Sequence, residues 1–141
     1  MGMTDENFDS ELRVTIQRLA RRLRSERADN NVTDGQFSVL CVLAKDGPLG
    51  LGDLSESERV TPPSMNRTVN ALVESGYATR NGSPDDGRKV LIDVTESGHN
   101  IIRETRRRRD AWFSRRLADL SPEQRHALEL CAPVLRELAD S

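Results

Sequence analysis

The chain has 141 residues, of which 35% are hydrophobic and 31% are charged, and its formal net charge is −2. This length predicts one domain with its own hydrophobic core. Its short apolar runs, acidic N-terminus without an apolar leader and two cysteines exclude a membrane protein, a disulfide-stapled secreted domain and a repeat array, and they predict a cytoplasmic protein.

The first half of the chain predicts three helices and a short strand. Apolar residues recur every three or four positions over residues 8–23, which is typical of an amphipathic helix, and polar residues 29–31 are expected to end it. Thr33 and Gln36 form the capping box of a second helix, whose apolar face is predicted to contain Phe37, Leu40, Cys41 and Ala44. A short strand over residues 49–52 and a helix over 53–58 follow.

A fourth helix is predicted from its local signals. Thr61 is a suitable N-cap, Pro62 is a favoured first helical residue, and Gly76 supplies the stop. The third and fourth helices are separated by a few residues around Val60, which is the spacing of a helix-turn-helix motif in which the later helix contacts DNA.

The segments after the fourth helix predict a wing and two more helices. Residues 77–81 and 90–94 read as strands around the turn signal of residues 84–87, which predicts a β-hairpin. Residues 95–98 cap a long helix, and a second capping box at residues 121–124 opens the last one. The expected fold is mainly α with a small β-hairpin wing, a winged helix-turn-helix joined to a helical dimerisation region.

The outward face of the fourth helix is the predicted DNA-binding surface. With Met65, Val69 and Leu72 facing the core, polar residues face outward, and Ser, Asn and Arg side chains hydrogen-bond base edges and phosphates. The competing interpretation is a solvated helix face. The predicted DNA-binding residues are Thr61, Pro63, Ser64, Asn66, Arg67 and Asn70.

The first and last two helices predict a dimer. Their apolar stripes are too extensive for one small winged domain to cover, and a two-fold dimer would place its recognition helices about 34–36 Å apart, one duplex turn. The winged region is assigned to residues 33–98 and the dimerisation region to 5–30 and 99–140. Pro133 is expected to kink the last helix. The predicted dimerisation residues are Phe8, Leu12, Ile16, Trp112, Phe113, Leu128, Leu135 and Leu138.

Several spaced motifs resemble the MarR family of bacterial transcriptional regulators. The matching run is residues 60–69, followed by Leu72 and Gly76-Tyr77. The wing and its exit match the family pattern through Asp86, Arg88, the strand at 90–94, Thr95 and Gly98. The resemblance covers nearly the whole chain.

The resemblance implies a homodimer that binds a pseudo-palindromic operator in double-stranded DNA and is released by small aromatic acids or phenols, or by cysteine oxidation. By analogy, Ser64, Asn66 and Arg67 contact the major groove. The wing reaches the minor groove with Arg88 and Lys89, and Asp86 and Gly87 shape it; Gly87 stands where the family often has a second arginine.

Two features outside the helix-turn-helix suggest an effector or redox response. The arginines at 106–109 span a helical turn, so Arg106 and Arg109 could clamp an anionic or aromatic effector between the two regions; the alternative is a solvated basic face. Cys41 and Cys131 lie on apolar stripes, and no basic residue adjoins Cys41, which favours core positions over a redox-sensing thiol.

The sequence predicts no enzyme, no metal site and no cofactor, because the two histidines and two cysteines are not closely spaced and no catalytic constellation is present. We therefore expect a ligand-responsive DNA-binding regulator, a repressor. Residues 33–98 hold six basic and ten acidic residues, a charge of −4. This charge keeps open an alternative, a winged-helix module that binds protein instead of DNA.

Overall fold

The computed structural model describes residues 5–85 and 87–141, and it divides into two compact units. Of the described residues, those within 24–108 form the winged unit, whereas 5–23 and 109–141 form the helical unit. The elements in chain order are α1 (Asp5–Arg24), α2 (Asp34–Asp46), β1 (Leu49–Gly50), α3 (Leu51–Glu58), α4 (Pro62–Glu74), β2 (Ala78–Gly82), β3 (Val90–Val94), α5 (Glu96–Ala118) and α6 (Pro122–Asp140). The predicted mainly helical winged architecture is confirmed.

The sheet has three antiparallel strands in the order β1-β3-β2. The predicted hairpin is present, with Ala78 opposite Val94 at its base and Gly82 opposite Val90 at its tip. The short β1 adds a third strand by pairing Leu49 with Ile92. The central strand β3 is therefore hydrogen-bonded on both edges.

The core of the winged unit lies where α2, α3 and α4 meet the sheet. In α2 the residues that are buried are Val39, Leu40 and Leu43. The predicted face was wrong in part, because Phe37 and Cys41 are only half-buried and Ala44 is exposed. The remaining buried apolar residues of this core are Val32, Leu54, Met65, Val69, Leu72, Ala78, Ile92, Ile101 and Ile102.

Helix α1 ends at Arg24, five residues before the polar segment that was expected to end it. The side chain of Arg27 caps this end of the helix. Its Nε donates a hydrogen bond to the carbonyl of Arg24 (3.0 Å) and its Nη1 to that of Val32 (3.0 Å). The next amide, Ala28 N, donates to the buried Thr105 Oγ1 on α5 (3.2 Å). The two bonds from Arg27 are local, and the bond to Thr105 is the tertiary contact that ties this segment to α5.

Helix α3 begins at Leu51, two residues before the predicted start, and ends at Glu58. The C-cap that follows, Arg59, has the left-handed backbone conformation (φ 55°). A residue with a Cβ destabilises the fold by about 1–2 kcal/mol when its backbone is left-handed, and glycine avoids this strain. Glycine also has more conformational entropy in the unfolded state, which offsets about 0.5–1 kcal/mol of that gain. We therefore expect Arg59→Gly to stabilise the fold by about 0.5 kcal/mol in urea unfolding. Arg59→Ala is the control, and an equal gain there would contradict the strain argument.

A hydrogen bond from Tyr77 Oη to Asp29 Oδ2 (2.7 Å) joins the loop after α1 to the start of the hairpin. The bond from Tyr77, together with one from the Asn31 amide, lowers the pKa of Asp29 below its ordinary 3.8. The same bond, with burial, raises the pKa of Tyr77 above its ordinary 10.0.

This pair predicts a pH dependence of stability. The contribution of Asp29 is present above pH 3.8 and is lost as the pH falls through its lowered pKa; that of Tyr77 is present below pH 10.0 and is lost as the pH rises through its raised pKa. Tyr77→Phe is expected to cost about 1 kcal/mol at pH 7 in urea unfolding. The difference from the parent protein should shrink at both extremes, and a constant difference from pH 3 to pH 11 would contradict the assignment.

The helical unit comprises residues 5–23 of α1, the end of α5 and α6. Its one large buried side chain among the described residues is Trp112, which is 7% exposed. The guanidinium groups of Arg22 and Arg116 lie 4.7 and 5.2 Å from its ring centre, and Phe113 stacks at 6.4 Å. Helix α6 runs unbroken through Pro133, and no residue of α6 is buried in the single chain. No helix in the described part of the chain combines the length and apolar character needed to cross a bilayer.

Candidate DNA-binding interface

Helix α4 forms as the sequence predicts. The hydroxyl of Thr61 accepts a hydrogen bond from the Ser64 amide (3.3 Å), and two prolines occupy the first helical positions. Met65, Val69 and Leu72 are buried against the core. The buried stripe fixes the rotation of the helix about its axis, so the opposite face is presented to solvent.

The solvent face of α4 is polar. Pro63, Asn66, Arg67 and Asn70 are exposed, together with the N-cap Thr61, and Ser64 is half-buried at the edge. Arg67 is the one charged residue in α4 before Glu74. This face offers amide, hydroxyl and guanidinium groups without an acidic side chain that would repel phosphate.

Sequence analysis missed one member of this surface. Arg80 lies on β2, two residues after the buried Ala78, so strand alternation places both on the face of the sheet that packs against α4. Its Nη2 donates a hydrogen bond to Asn66 Oδ1 (3.0 Å). The fourteen-residue separation of the pair gives no local pattern in the sequence, and only the packing of β2 on α4 brings them together.

The predicted wing residues Gly87, Arg88 and Lys89 are exposed in the loop before β3. The amide of Ser83 donates to the Lys89 carbonyl (2.8 Å), which closes the loop beyond the last strand pair. Asp86, assigned a structural role in the wing, lies outside the described residues.

The motif after the wing joins three elements of the winged unit. Thr95 Oγ1 donates to the Gly76 carbonyl at the end of α4 (2.7 Å) and accepts from the Gly98 amide in α5 (3.0 Å). The Thr95 amide donates to the Tyr77 carbonyl (3.0 Å). A Cβ at Gly98 would lie 2.4 Å from that carbonyl oxygen, so only glycine allows α5 to approach this closely.

The arginine run on α5 is divided among different roles. Arg107 and Arg108 both hydrogen-bond Glu104 (2.7–3.1 Å), and these bonds lower the pKa of Glu104 to about 2. Arg108 also donates to the Arg27 carbonyl (3.2 Å). These two guanidinium groups therefore stabilise the fold around α5.

Arg106 instead lines an open pocket of about 430 Å³ in the winged unit, together with Ser38, Cys41, Val42, Ala44 and Lys45 of α2. Cys41 is half-buried and packs against the core of the winged unit, as expected, but it also lines this pocket together with two cations. Lys45 lies four residues after Cys41 on α2, whereas α5 brings Arg106 there from far along the chain. Arg109 is absent from the described lining and belongs to the helical unit. Cys131 is also half-buried.

No group of three or more potential metal ligands occurs within residues 5–85 and 87–141. The arrangement is thus that of a polar helix face beside a hairpin, with a separate pocket lined by Arg106 and by residues of α2.

Comparison with known proteins identifies the family. The MarR family model matches residues 32–90. An HTH-type transcriptional regulator of Mycobacterium leprae is 37% identical over 137 residues, which covers 97% of this chain and 96% of that protein. The chain belongs to the MarR family. Members of the MarR family are DNA-binding transcriptional regulators that act as dimers, and they are not enzymes.

Solved structures agree with this MarR-family fold. A transcriptional regulator from Pseudomonas aeruginosa superimposes with a TM-score of 0.85 at 25% identity and covers 97% of both chains. A single-residue mutant of MepR from Staphylococcus aureus, whose structure was determined bound to an oligodeoxyribonucleotide, has a TM-score of 0.74 at 17% identity over 99% of both chains. At that identity the likeness shows the fold alone.

Proposed function

We propose that this MarR-family protein is a homodimeric repressor whose α4 binds the major groove at each half of an inverted repeat. The observation that carries the proposal is the solvent face of α4, where Asn66, Arg67 and Asn70 are exposed opposite the buried stripe. Ser64 and Thr61 flank this face. Arg88 and Lys89 of the wing supply positive charge for the adjacent phosphate backbone of the DNA. The repressor NicR of Pseudomonas putida, 28% identical over 134 residues, supports the direction of regulation.

The helical unit supplies the proposed dimer surface. Ile16, Leu19, Leu23, Leu135 and Leu138 line an apolar groove between α1 and α6. Exposed apolar side chains extend the surface; they are Phe8, Leu12 and Leu128, with Leu138 59% exposed. An apolar surface of this extent in one chain favours burial against a second copy. Trp112, predicted as a dimerisation residue, is buried within its own chain, and Phe113 is half-buried beside it.

Selection of duplex DNA from a random pool at near-physiological salt tests the proposal. A dimeric reader would enrich an inverted repeat whose half-sites are about one turn apart. Sedimentation would give the mass of two chains, and transcription in vitro from a promoter carrying the selected site would fall when the protein is added. A folded dimer that enriches no sequence would contradict the proposal and favour a protein-binding role. If transcription instead increased, the repressor role would be wrong, but the DNA-binding role would stand.

The pocket beside Arg106 is the proposed effector site. It combines two cations, Arg106 and Lys45, with the apolar side chains of Val42 and Ala44. A small aromatic carboxylate matches this lining, since the guanidinium accommodates the carboxylate and the apolar wall accommodates the ring. Binding there would release DNA only if the ligand binds the DNA-free state more tightly.

Aromatic carboxylates such as benzoate are expected to stabilise the parent protein against heat. Arg106→Ala should lower the apparent affinity for them about tenfold, because it removes the charge-assisted hydrogen bonds to the carboxylate. Arg107→Ala is the matched control on the same helix, since Arg107 is already paired with Glu104. The measurement is the melting temperature against carboxylate concentration. Equal losses in both variants, or no stabilisation of the parent protein, would contradict the assignment.

A further inference from the structure

The hydrogen bond between Arg80 and Asn66 bears on which base the protein recognises. Both side chains are exposed on the proposed DNA-binding surface, and Arg80 Nη2 lies 3.0 Å from Asn66 Oδ1. The bond orients the Asn66 amide with its oxygen toward β2. The Nδ2 donor, on the other branch of the amide, is turned away from Arg80.

Asparagine usually recognises adenine with both atoms of its amide. Oδ1 accepts from the adenine N6 amino group while Nδ2 donates to N7. In this protein a guanidinium already donates to Oδ1, in a charge-assisted bond. An adenine amino group that approaches the same oxygen would meet the positive charge of Arg80. An acceptor such as guanine O6 or N7, or thymine O4, would instead meet hydrogen-bond donors from both Asn66 and Arg80.

We propose that Arg80 is a positioning residue that sets the base preference of Asn66. At the base pair contacted by Asn66, the operator carries guanine or thymine in preference to adenine, because the Arg80 guanidinium occupies one of the two lone pairs of Asn66 Oδ1 and places a positive charge beside the other. This inference rests on the proposed DNA-binding role of α4 and specifies its base preference.

Parallel selections with the parent protein, Asn66→Ala and Arg80→Ala test it. The position whose preference disappears in Asn66→Ala is the one that Asn66 contacts. At that position, Arg80→Ala is expected to raise the enrichment of adenine relative to guanine and thymine by about tenfold, because the guanidinium no longer competes with N6 for Oδ1 or repels the amino group. Preferences at the other positions should not change. In the Asn66→Ala background, Arg80→Ala should no longer alter the preference.

Two controls separate positioning from a simple backbone contact. Arg80→Lys keeps a positive charge and a donor beside Asn66, so it should retain both the preference against adenine and the salt dependence of binding. Lys89→Ala removes one positive charge from the wing and should weaken all sequences equally, reducing the salt slope by about one.

The outcomes distinguish the inference from the function on which it rests. If the parent protein enriches a site and Arg80→Ala weakens all sequences equally, Arg80 contacts only phosphate and the inference is wrong, although DNA binding stands. The inference would also be wrong if the parent protein preferred adenine at the base pair that Asn66 contacts. If the parent protein enriches no site, the proposed function fails and the inference fails with it.

Discussion

Replacing Arg67 with alanine is expected to weaken binding to the selected operator by about 1–3 kcal/mol and to relax the preference at one base pair. Arg67 is exposed on the solvent face of α4 and is the one charged side chain there before Glu74. A guanidinium fork bonds both acceptors of guanine, so its loss removes affinity and discrimination together. The measurement is a titration of the selected duplex and of its single-base variants.

Arg103→Ala is the matched control for Arg67→Ala. It removes the same charge from α5, where the side chain donates to Asn100 within its own helix. We expect it to leave base preference unchanged and to alter affinity only through net charge. Unchanged operator affinity in Arg67→Ala, or the same loss in both variants, would show that Arg67 does not contact a base.

Gly98→Ala is expected to destabilise the winged unit by about 3 kcal/mol, the upper part of the range for overpacking. The added Cβ would lie 2.4 Å from the Tyr77 carbonyl oxygen and 2.6 Å from Val94 Cγ2. The first of these is a backbone atom that is held by the Thr95 amide, so neither strand nor helix can move aside cheaply.

The free energy of unfolding in urea measures this effect. Gly52→Ala is the matched control, because it makes the same change in α3 at a position where a Cβ meets no atom within 4 Å. Better helix propensity should stabilise that variant by about 0.5–1 kcal/mol. A Gly98→Ala protein as stable as its parent would show that α5 can shift away from the hairpin without loss.

The parts of the fold that the sequence predicts depend on local signals. Thr61 and Pro62 mark the start of α4, the spacing of Met65, Val69 and Leu72 sets its rotation, and Gly76 marks its end. The two capping boxes and strand β3 are local in the same way, and all are confirmed. The face proposed to bind DNA was therefore predictable as a surface.

What the sequence did not predict depends on contacts between distant segments. The segment after α1 is tied to Thr105, which lies 77 residues beyond Ala28. The Arg80–Asn66 pair requires β2 to pack on α4, and the approach of Arg106 to Cys41 requires α5 to pack on α2. Periodicity and capping carry no information about such pairings.

The segment between α1 and α2 has a consequence for engineering the chain. Loops without regular secondary structure are usually the sites that tolerate insertions and fusions. Here the backbone of residues 25–33 is fastened by the Arg27 guanidinium, by Thr105 and by the bond from Tyr77 to Asp29. An inserted peptide would separate these partners and would disturb the packing of three elements, so this loop is a poor point for a tag, a circular permutation or a domain insertion.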